Sequence, residues 1–191
     1  SYPLCFPHYA FGNNLVSNDT IFELEKLPKS IVVIGGGYSG CEFSAIFNSF
    51  GCNVSLIEVQ EHLMPLQIEE IGKTVEKYMR LDGINVMTGS TVEKILENGV
   101  MLAASGQTLE AEKVLVCIGR RPCINVNELS NCGVKFNDRG ILVNSEMRST
   151  VQNIFAIGDV TGIFELAHVA SKQGEVAAQN MMGKGGEMDY G

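Results

Sequence analysis

One stretch, Lys29 to Glu58 (KSIVVIGGGYSGCEFSAIFNSFGCNVSLIE), limits what this chain can fold into more than any other. Ser30 to Ile34 is a short β-branched run that stops at three glycines, the way a parallel strand buried on both faces ends. Gly35, Gly37 and Gly40 then fit the spacing G-x-G-x-x-G. In such a turn the first glycine permits the tight bend, the second lets backbone approach a pyrophosphate, and the third lets helix pack on strand. A helix is expected next, with Phe43, Ile46, Phe47 and Phe50 at helical spacing and Gly51 as its stop. The amide-rich start of that helix points at the phosphates.

The second strand, Asn53 to Ile57, ends in Glu58, 23 positions beyond Gly35 (58 minus 35). A carboxylate there accepts both hydroxyls of an adenine ribose and repels a 2′-phosphate, so the expected ligand is NAD rather than NADP. A lone G-x-G-x-x-G is weak evidence, whereas strand, turn, helix, strand and terminal acid in register are much stronger. The competing reading is a glycine turn that closes a sheet without ligand.

A chain of 191 residues has room for one ordinary domain and part of another, and 45% hydrophobic residues supply a core. With 14 basic against 22 acidic residues, a net charge of -8, neither nucleic acid nor an anionic membrane is expected as a partner. Phe43 to Ile57, an uncharged run near the front, is too short and too rich in Gly, Asn and Ser to span a bilayer. No signal-peptide pattern is present, and a start at Ser1 in a proline-containing segment reads as a processed product or an excised piece. Cys5, Cys41, Cys52, Cys117, Cys123 and Cys132 form no C-x-x-C pair and have no histidine at metal-ligand spacing. Reduced cytoplasmic thiols and no metal are expected.

Ser1 to Leu27 reads as an approach segment, with Pro3, Pro7 and a turn at Phe11-Gly12-Asn13-Asn14; His8 there reads as a packing or surface residue. After a loop from His62 to Pro65, Gln67 to Leu81 reads as an amphipathic helix that buries Ile68, Ile71, Val75 and Met79. A third strand, Ile84 to Met87, completes a βαβαβ unit. The period then becomes two: Thr91 to Glu97, Val100 to Ala104 and Thr108 to Ala111 read as an antiparallel meander turned at Asn98-Gly99. Lys113 to Ile118 returns to the parallel sheet and ends at Gly119, at the carboxyl edge where ligands of such sheets bind. Further on come a hairpin within Gly133 to Val143 and a buried strand from Asn153 to Ile157 closed by Gly158-Asp159. Last is a helix from Leu166 to Met182 with Leu166, Val169, Ala170, Val176, Ala177 and Met181 inward. The fold class is α/β: a Rossmann-like βαβαβ parallel sheet with an antiparallel β-meander crossover, followed by a segment of a second domain.

Taken together, five stretches resemble the two-dinucleotide flavoprotein disulfide reductases. They are GGGYSGCE (Gly35 to Glu42), Glu58, VCIGRRP (Val116 to Pro122), STVQNIFAIGDV (Ser149 to Val160) and LAHVASKQGEVAAQNMMG (Leu166 to Gly183). Within that family the likeness is nearest to the lipoamide dehydrogenase branch, whose helix after the GD motif reads much like LAHxAxxEG. The resemblance covers nearly the whole chain. It implies four parts: an approach segment from an FAD domain at 1–28, an NAD-binding domain at 29–122, the C-terminal part of an FAD-binding domain at 123–183, and a frayed tail at 184–191. It implies that Gly35, Gly37 and Gly40 hold the NAD pyrophosphate, with Gly36, Tyr38 and Ser39 also among the NAD-binding residues, that Glu58 holds the adenosine ribose, and that Val92 borders the adenine. Gly119 and Glu42 then fall at the nicotinamide end, although Glu42 also reads simply as an early-helix acid on the dipole. Asp159 matches the aspartate on the FAD ribityl chain, with a plain turn aspartate as the alternative, and Ala167 lies where a helix start meets the flavin.

The departures carry weight too. The family has a second, N-terminal G-x-G-x-x-G for FAD and a C-x-x-x-x-C redox pair, and neither is in this sequence. Cys117 and Cys123 have five residues between them and do not replace that pair. An interface domain with a His and Glu proton-transfer pair is also missing. The resemblance therefore implies an internal piece without catalytic residues of its own, one that binds NAD(H) without turnover and does not retain FAD. The implied whole enzyme is a homodimer that oxidises protein-bound dihydrolipoamide with NAD through FAD and a redox disulfide. Its partners would be the lipoyl domains of 2-oxoacid dehydrogenase complexes, and a bacterial cytoplasm is favoured over a mitochondrial matrix. Two alternatives stay open: a fragment of another NADH-dependent flavoprotein reductase, such as an NADH oxidase or transhydrogenase, or a non-catalytic nucleotide-binding module.

Overall fold

The computed structural model describes residues 1–6, 9 and 14–191; Pro7, His8 and the Phe11-Gly12-Asn13 part of the expected turn lie outside them. The chain divides into two compact units, one of Pro3–Gly119 and one of Ser1–Tyr2 with Arg120–Gly191.

The first unit is built on five parallel strands: β1 (Leu15–Ser17), β2 (Ser30–Ile34), β3 (Asn53–Ile57), β4 (Asn85–Met87) and β8 (Lys113–Val116), in the order β1-β8-β2-β3-β4. Strand β1 falls inside the expected approach segment. Its three residues sit among turn formers, too short a run to show a period. Side chains alternate across the sheet as the pleat demands. Ile31, Val33, Val54, Leu56 and Leu115 join one buried cluster with Phe47 and Met79 of the helices. Val32, Ile34, Ile57, Val114 and Val116 join another with Ile95, Val100 and Leu102 of the meander. The meander is β5 (Val92–Leu96), β6 (Gly99–Leu102) and β7 (Thr108–Glu110), antiparallel throughout. Helices therefore cover one face and the meander the other, which is why both faces of β2 read as apolar in sequence.

Helix α1 (Tyr38–Ser49) faces the sheet with Gly40, Cys41, Ser44 and Phe47. Of the expected apolar face Phe47 is buried and Phe43 packs on the core, whereas Ile46 and Phe50 are 48% and 68% exposed. Small residues bring the helix close to the strands and push bulky neighbours to its flanks. In α2 (Glu69–Leu81) the buried residues are Gly72 and Met79, while Ile68 and Ile71, expected inside, are exposed. Exposed pairs Glu69–Lys73 at 2.6 Å and Glu76–Arg80 at 2.7 Å span i,i+4 on this helix.

In the second unit, α3 (Val126–Asn131) is capped by the Asn125 side chain, which accepts from the Glu128 amide. The expected hairpin is present as β9 (Phe136–Asn137) against β10 (Gly140–Ile141). The expected strand from Asn153 to Ile157 is not formed: Phe155 makes a single antiparallel bridge to Arg148, and Ile157 is 43% exposed. A buried strand needs a ladder partner on each side, and the described residues offer it only this bridge. Helix α4 (Ala167–Met181) buries Gln173, Val176 and Ala177, whereas Met181, expected inward, is exposed. The tail is held rather than frayed. The Met188 amide donates to the Ser145 carbonyl at 2.8 Å, and Tyr190 accepts from Gln173 Nε2 at 2.9 Å. No helix among the described residues is long and apolar enough to cross a membrane.

Three thiols are part of the first unit's core. Burial pushes Cys41 up to about 11 and Cys117 up to about 12 from an ordinary 9.0, with the Glu58 carboxylate adding to the first and Cys41 to the second. Because folding favours the protonated thiols, this stabilisation is whole below pH 9 and is lost as pH rises through the folded values. The folded protein near neutral pH is expected to be alkylated by iodoacetamide at Cys123 and Cys132, both exposed, long before Cys41, Cys52 and Cys117. Mass spectrometry showing Cys41 modified as fast as Cys123 contradicts this packing.

Candidate functional site

The site is the bend between β2 and α1. Gly35 has φ +104°, and a Cβ there would lie 2.4 Å from the Cys117 carbonyl oxygen. A Cβ on Gly40 would lie 1.7 Å from the Gly35 oxygen. Both glycines are thus demanded by the chain's own backbone. Gly37 is different. Its φ of -72° suits any residue, and a Cβ there would meet nothing within 4 Å. No neighbour among the described residues explains glycine at 37, and the space in front of it is open. Gly37 is also the N-cap of α1, and no side chain caps that helix start. Its amides are presented to whatever sits in front of them.

Glu58 ends β3 beside this bend and is only 5% exposed. Its Oε2 accepts from the Gly36 amide at 2.6 Å and its Oε1 from the Gln60 amide at 2.8 Å. A carboxylate offers about four acceptor positions, and these two bonds use two of them. Below the bend, a Cβ on Gly36 would lie 2.6 Å from the side chain of Leu63, which is fully buried.

The structure brings Gly35 to Gly40 and Glu58 together as the motif spacing requires. Tyr38 is exposed, its hydroxyl accepting from Gln67 Nε2, and Ser39 is half-buried. Glu42 lies one turn along α1 with its side chain in solvent. Val92 opens β5, half-buried against the meander-side cluster. Gly119, with φ +121°, lies two residues past the Cys117 carbonyl that packs on Gly35, and its own oxygen accepts from the Leu4 amide at 3.0 Å.

Asp159 and Ala167 belong to the second unit. Asp159 sits in a single 3-10 turn, Gly158–Thr161, and its carboxylate accepts from the Ser1 hydroxyl, which Arg120 Nε also reaches at 2.7 Å. Burial, with Asp159 beside it, raises the Glu165 carboxyl above the usual range. Ala167 is the exposed first residue of α4. The residue that steadies the Asp159 turn is Gln173, fully buried, whose Oε1 accepts from the Gly158 amide at 2.6 Å. Sequence reading passed over Gln173, although its place among Ala170, Val176 and Ala177 on the inward stripe was the available signal. Gly72 was also missed. A glycine in a helix interior costs about 1 kcal/mol against alanine, which marks the position as packed too closely for a side chain.

Residues 7–174 match the family described as pyridine nucleotide-disulphide oxidoreductase. The dihydrolipoyl dehydrogenase of Chlamydia pneumoniae is 40% identical over 193 residues, covering 100% of this chain and 42% of that protein. The enzyme of the same name from Staphylococcus aureus is 36% identical over 197 residues with the same coverage. Among solved structures, a NAD-dependent persulfide reductase from A. fulgidus superposes with a TM-score of 0.84 at 27% identity, over 98% of this chain and 38% of that one. LpdA from Mycobacterium tuberculosis shares the fold, with a TM-score of 0.86 at 24% identity over 98% and 42% of the two chains. This chain thus spans less than half the length of the relatives it matches. Because the match spans residues 7–174 of this 191-residue chain, the chain belongs to the pyridine nucleotide-disulphide oxidoreductase family.

Proposed function

We propose that this chain is the NAD(H)-binding region of a dihydrolipoyl dehydrogenase, followed by the returning part of its FAD domain. The observation that carries the reading is Glu58, a buried carboxylate beside the Gly35 to Gly40 bend with two acceptor positions to spare. Gly37 supports it, since the space a side chain would take is open in front of an uncapped helix start. The ribose hydroxyls would bond Glu58, and the pyrophosphate would lie against the amides that open α1. A 2′-phosphate would meet the Glu58 carboxylate and be repelled. Val92 would border the adenine, while Gly119 and Glu42 would face the nicotinamide half.

For FAD, Asp159 and the start of α4 at Ala167 offer a polar group and a helix end, which suits one part of a flavin nucleotide. The second glycine motif that family members use for FAD is not in this sequence, so this chain alone would not hold the cofactor. Flavin bound in the whole enzyme would supply the electron transfer, and this chain would bind and orient the nicotinamide. The likeness to two dihydrolipoyl dehydrogenases and the stretch LAHVASKQG support a dihydrolipoyl group as substrate; lipoyl domains as partners and a homodimer as the working enzyme are what the family resemblance would add.

Fluorescence titration of the 191-residue chain is expected to show NADH bound at least about 10-fold tighter than NADPH. Glu58→Ala should weaken NADH by about 10-fold to 100-fold and erase that preference, through loss of charge-assisted hydrogen bonds. Equal affinity for the two coenzymes, or an unchanged Glu58→Ala variant, contradicts the assignment. The purified chain is also expected to show no lipoamide dehydrogenase turnover, and measurable turnover refutes that part.

A further inference from the structure

The loop that follows Glu58 contains Met64, whose φ is +51°; among the described residues of the first unit no other non-glycine residue has a positive φ. L side chains rarely adopt that conformation, and it persists where surrounding contacts hold it. Here the Met64 amide donates to the Gly36 carbonyl at 2.7 Å, an oxygen that Cys41 Sγ also approaches at 3.4 Å. The loop itself is wedged from two sides. Leu63 fills the space under Gly36, where a Cβ would lie 2.6 Å from its side chain. On the far side a Cβ on Gly72 would lie 2.2 Å from the Leu63 carbonyl oxygen and 2.5 Å from His62 Nδ1, which is itself 2.8 Å from that oxygen. Helix α2 can approach the loop this closely only because Gly72 has no side chain.

The Gly36 carbonyl and the Gly37 amide belong to one peptide unit. It is trans and planar, so its C=O and N–H point to opposite sides of the chain. Whatever fixes the carbonyl therefore fixes the direction of the Gly37 N–H. We propose that Met64 is a positioning residue for the pyrophosphate of the dinucleotide: its left-handed backbone, in a loop whose Leu63 carbonyl packs on Gly72, holds the Gly36 carbonyl and so aims the Gly37 amide. The proposal rests on the NAD(H) reading above. It adds that affinity for a diphosphate depends on the backbone conformation at 64 rather than on the Met64 side chain.

Calorimetric titration of the whole chain with ADP-ribose separates these two roles. Met64→Gly keeps the N–H and relaxes into φ > 0, while Met64→Val keeps apolar bulk but resists that conformation because it is β-branched. Positioning predicts that Met64→Gly binds within about 2-fold of the unaltered chain and that Met64→Val binds about 10-fold more weakly. The amide resonance of Gly37 should move in Met64→Val and stay in place in Met64→Gly. A packing role predicts the reverse order, with Met64→Gly the weaker. That order, or two variants equal to each other, overturns the proposal. If circular dichroism shows Met64→Val unfolded, Met64→Asn decides, because asparagine tolerates the left-handed region. It is expected within about 2-fold of the unaltered chain, and a loss of about 10-fold overturns the proposal. Failure of the unaltered chain to bind ADP-ribose defeats the NAD(H) reading instead, so the two failures are distinguishable.

Discussion

The hydrogen bond from the Gly36 amide to the Glu58 carboxylate, 2.6 Å long and buried, is the contact on which the rest of the first unit's site depends. It joins the turn after β2 to the end of β3, so it exists only if those strands are neighbours in the right register. The ladder supplies that register, pairing Ile34 with Ile57 directly before the two groups meet. A carboxylate buried without partners is costly, and here backbone amides of Gly36 and Gln60 satisfy it. The side chain is thereby held in place by two backbone amides.

The parts of this arrangement that were legible in the sequence are those the sheet writes into local pattern. Ser30 to Ile34 and Lys113 to Val116 carry buried apolar residues on both pleat faces because helices cover one and the meander the other. The Asn98-Gly99 turn announced the meander, and the glycine spacing with its terminal acid announced the bend. What the pattern hid was close packing by small residues. Helical spacing gave α1 an aromatic face, and Phe47 of it does meet the sheet, but beside it Gly40, Cys41 and Ser44 make the contact while Ile46 and Phe50 lie outside. The same effect misassigned α2, where Gly72 rather than Ile68 or Ile71 is pressed inward. Hydrophobicity ranks side chains by what they bury, and it ranks glycine low where the absence of a side chain is the packing feature.

The second unit was less legible for a different reason. A run such as Asn153 to Ile157 has strand composition, but a strand is a property of pairs, and the described residues give Phe155 only one bridge. Ile157, Phe164, Met181 and Met182 are exposed in this unit. Buried polar groups there are nonetheless satisfied: Gln173, with no solvent exposure, bonds Gly158 on one side and Tyr190 on the other. The turn carrying Asp159 is thus tied to α4 and to the C-terminal tail by one uncharged amide.

The central claim is that Glu58 and the bend from Gly35 to Gly40 together grip the adenosine diphosphate half of a coenzyme. A crystal structure of this chain grown with NADH tests it most directly. The expected result is both adenine-ribose hydroxyls within about 3 Å of the Glu58 carboxylate and the pyrophosphate on the amides that begin α1. A dinucleotide found elsewhere on the chain, or a Glu58 side chain turned away from the bound ribose, would contradict it.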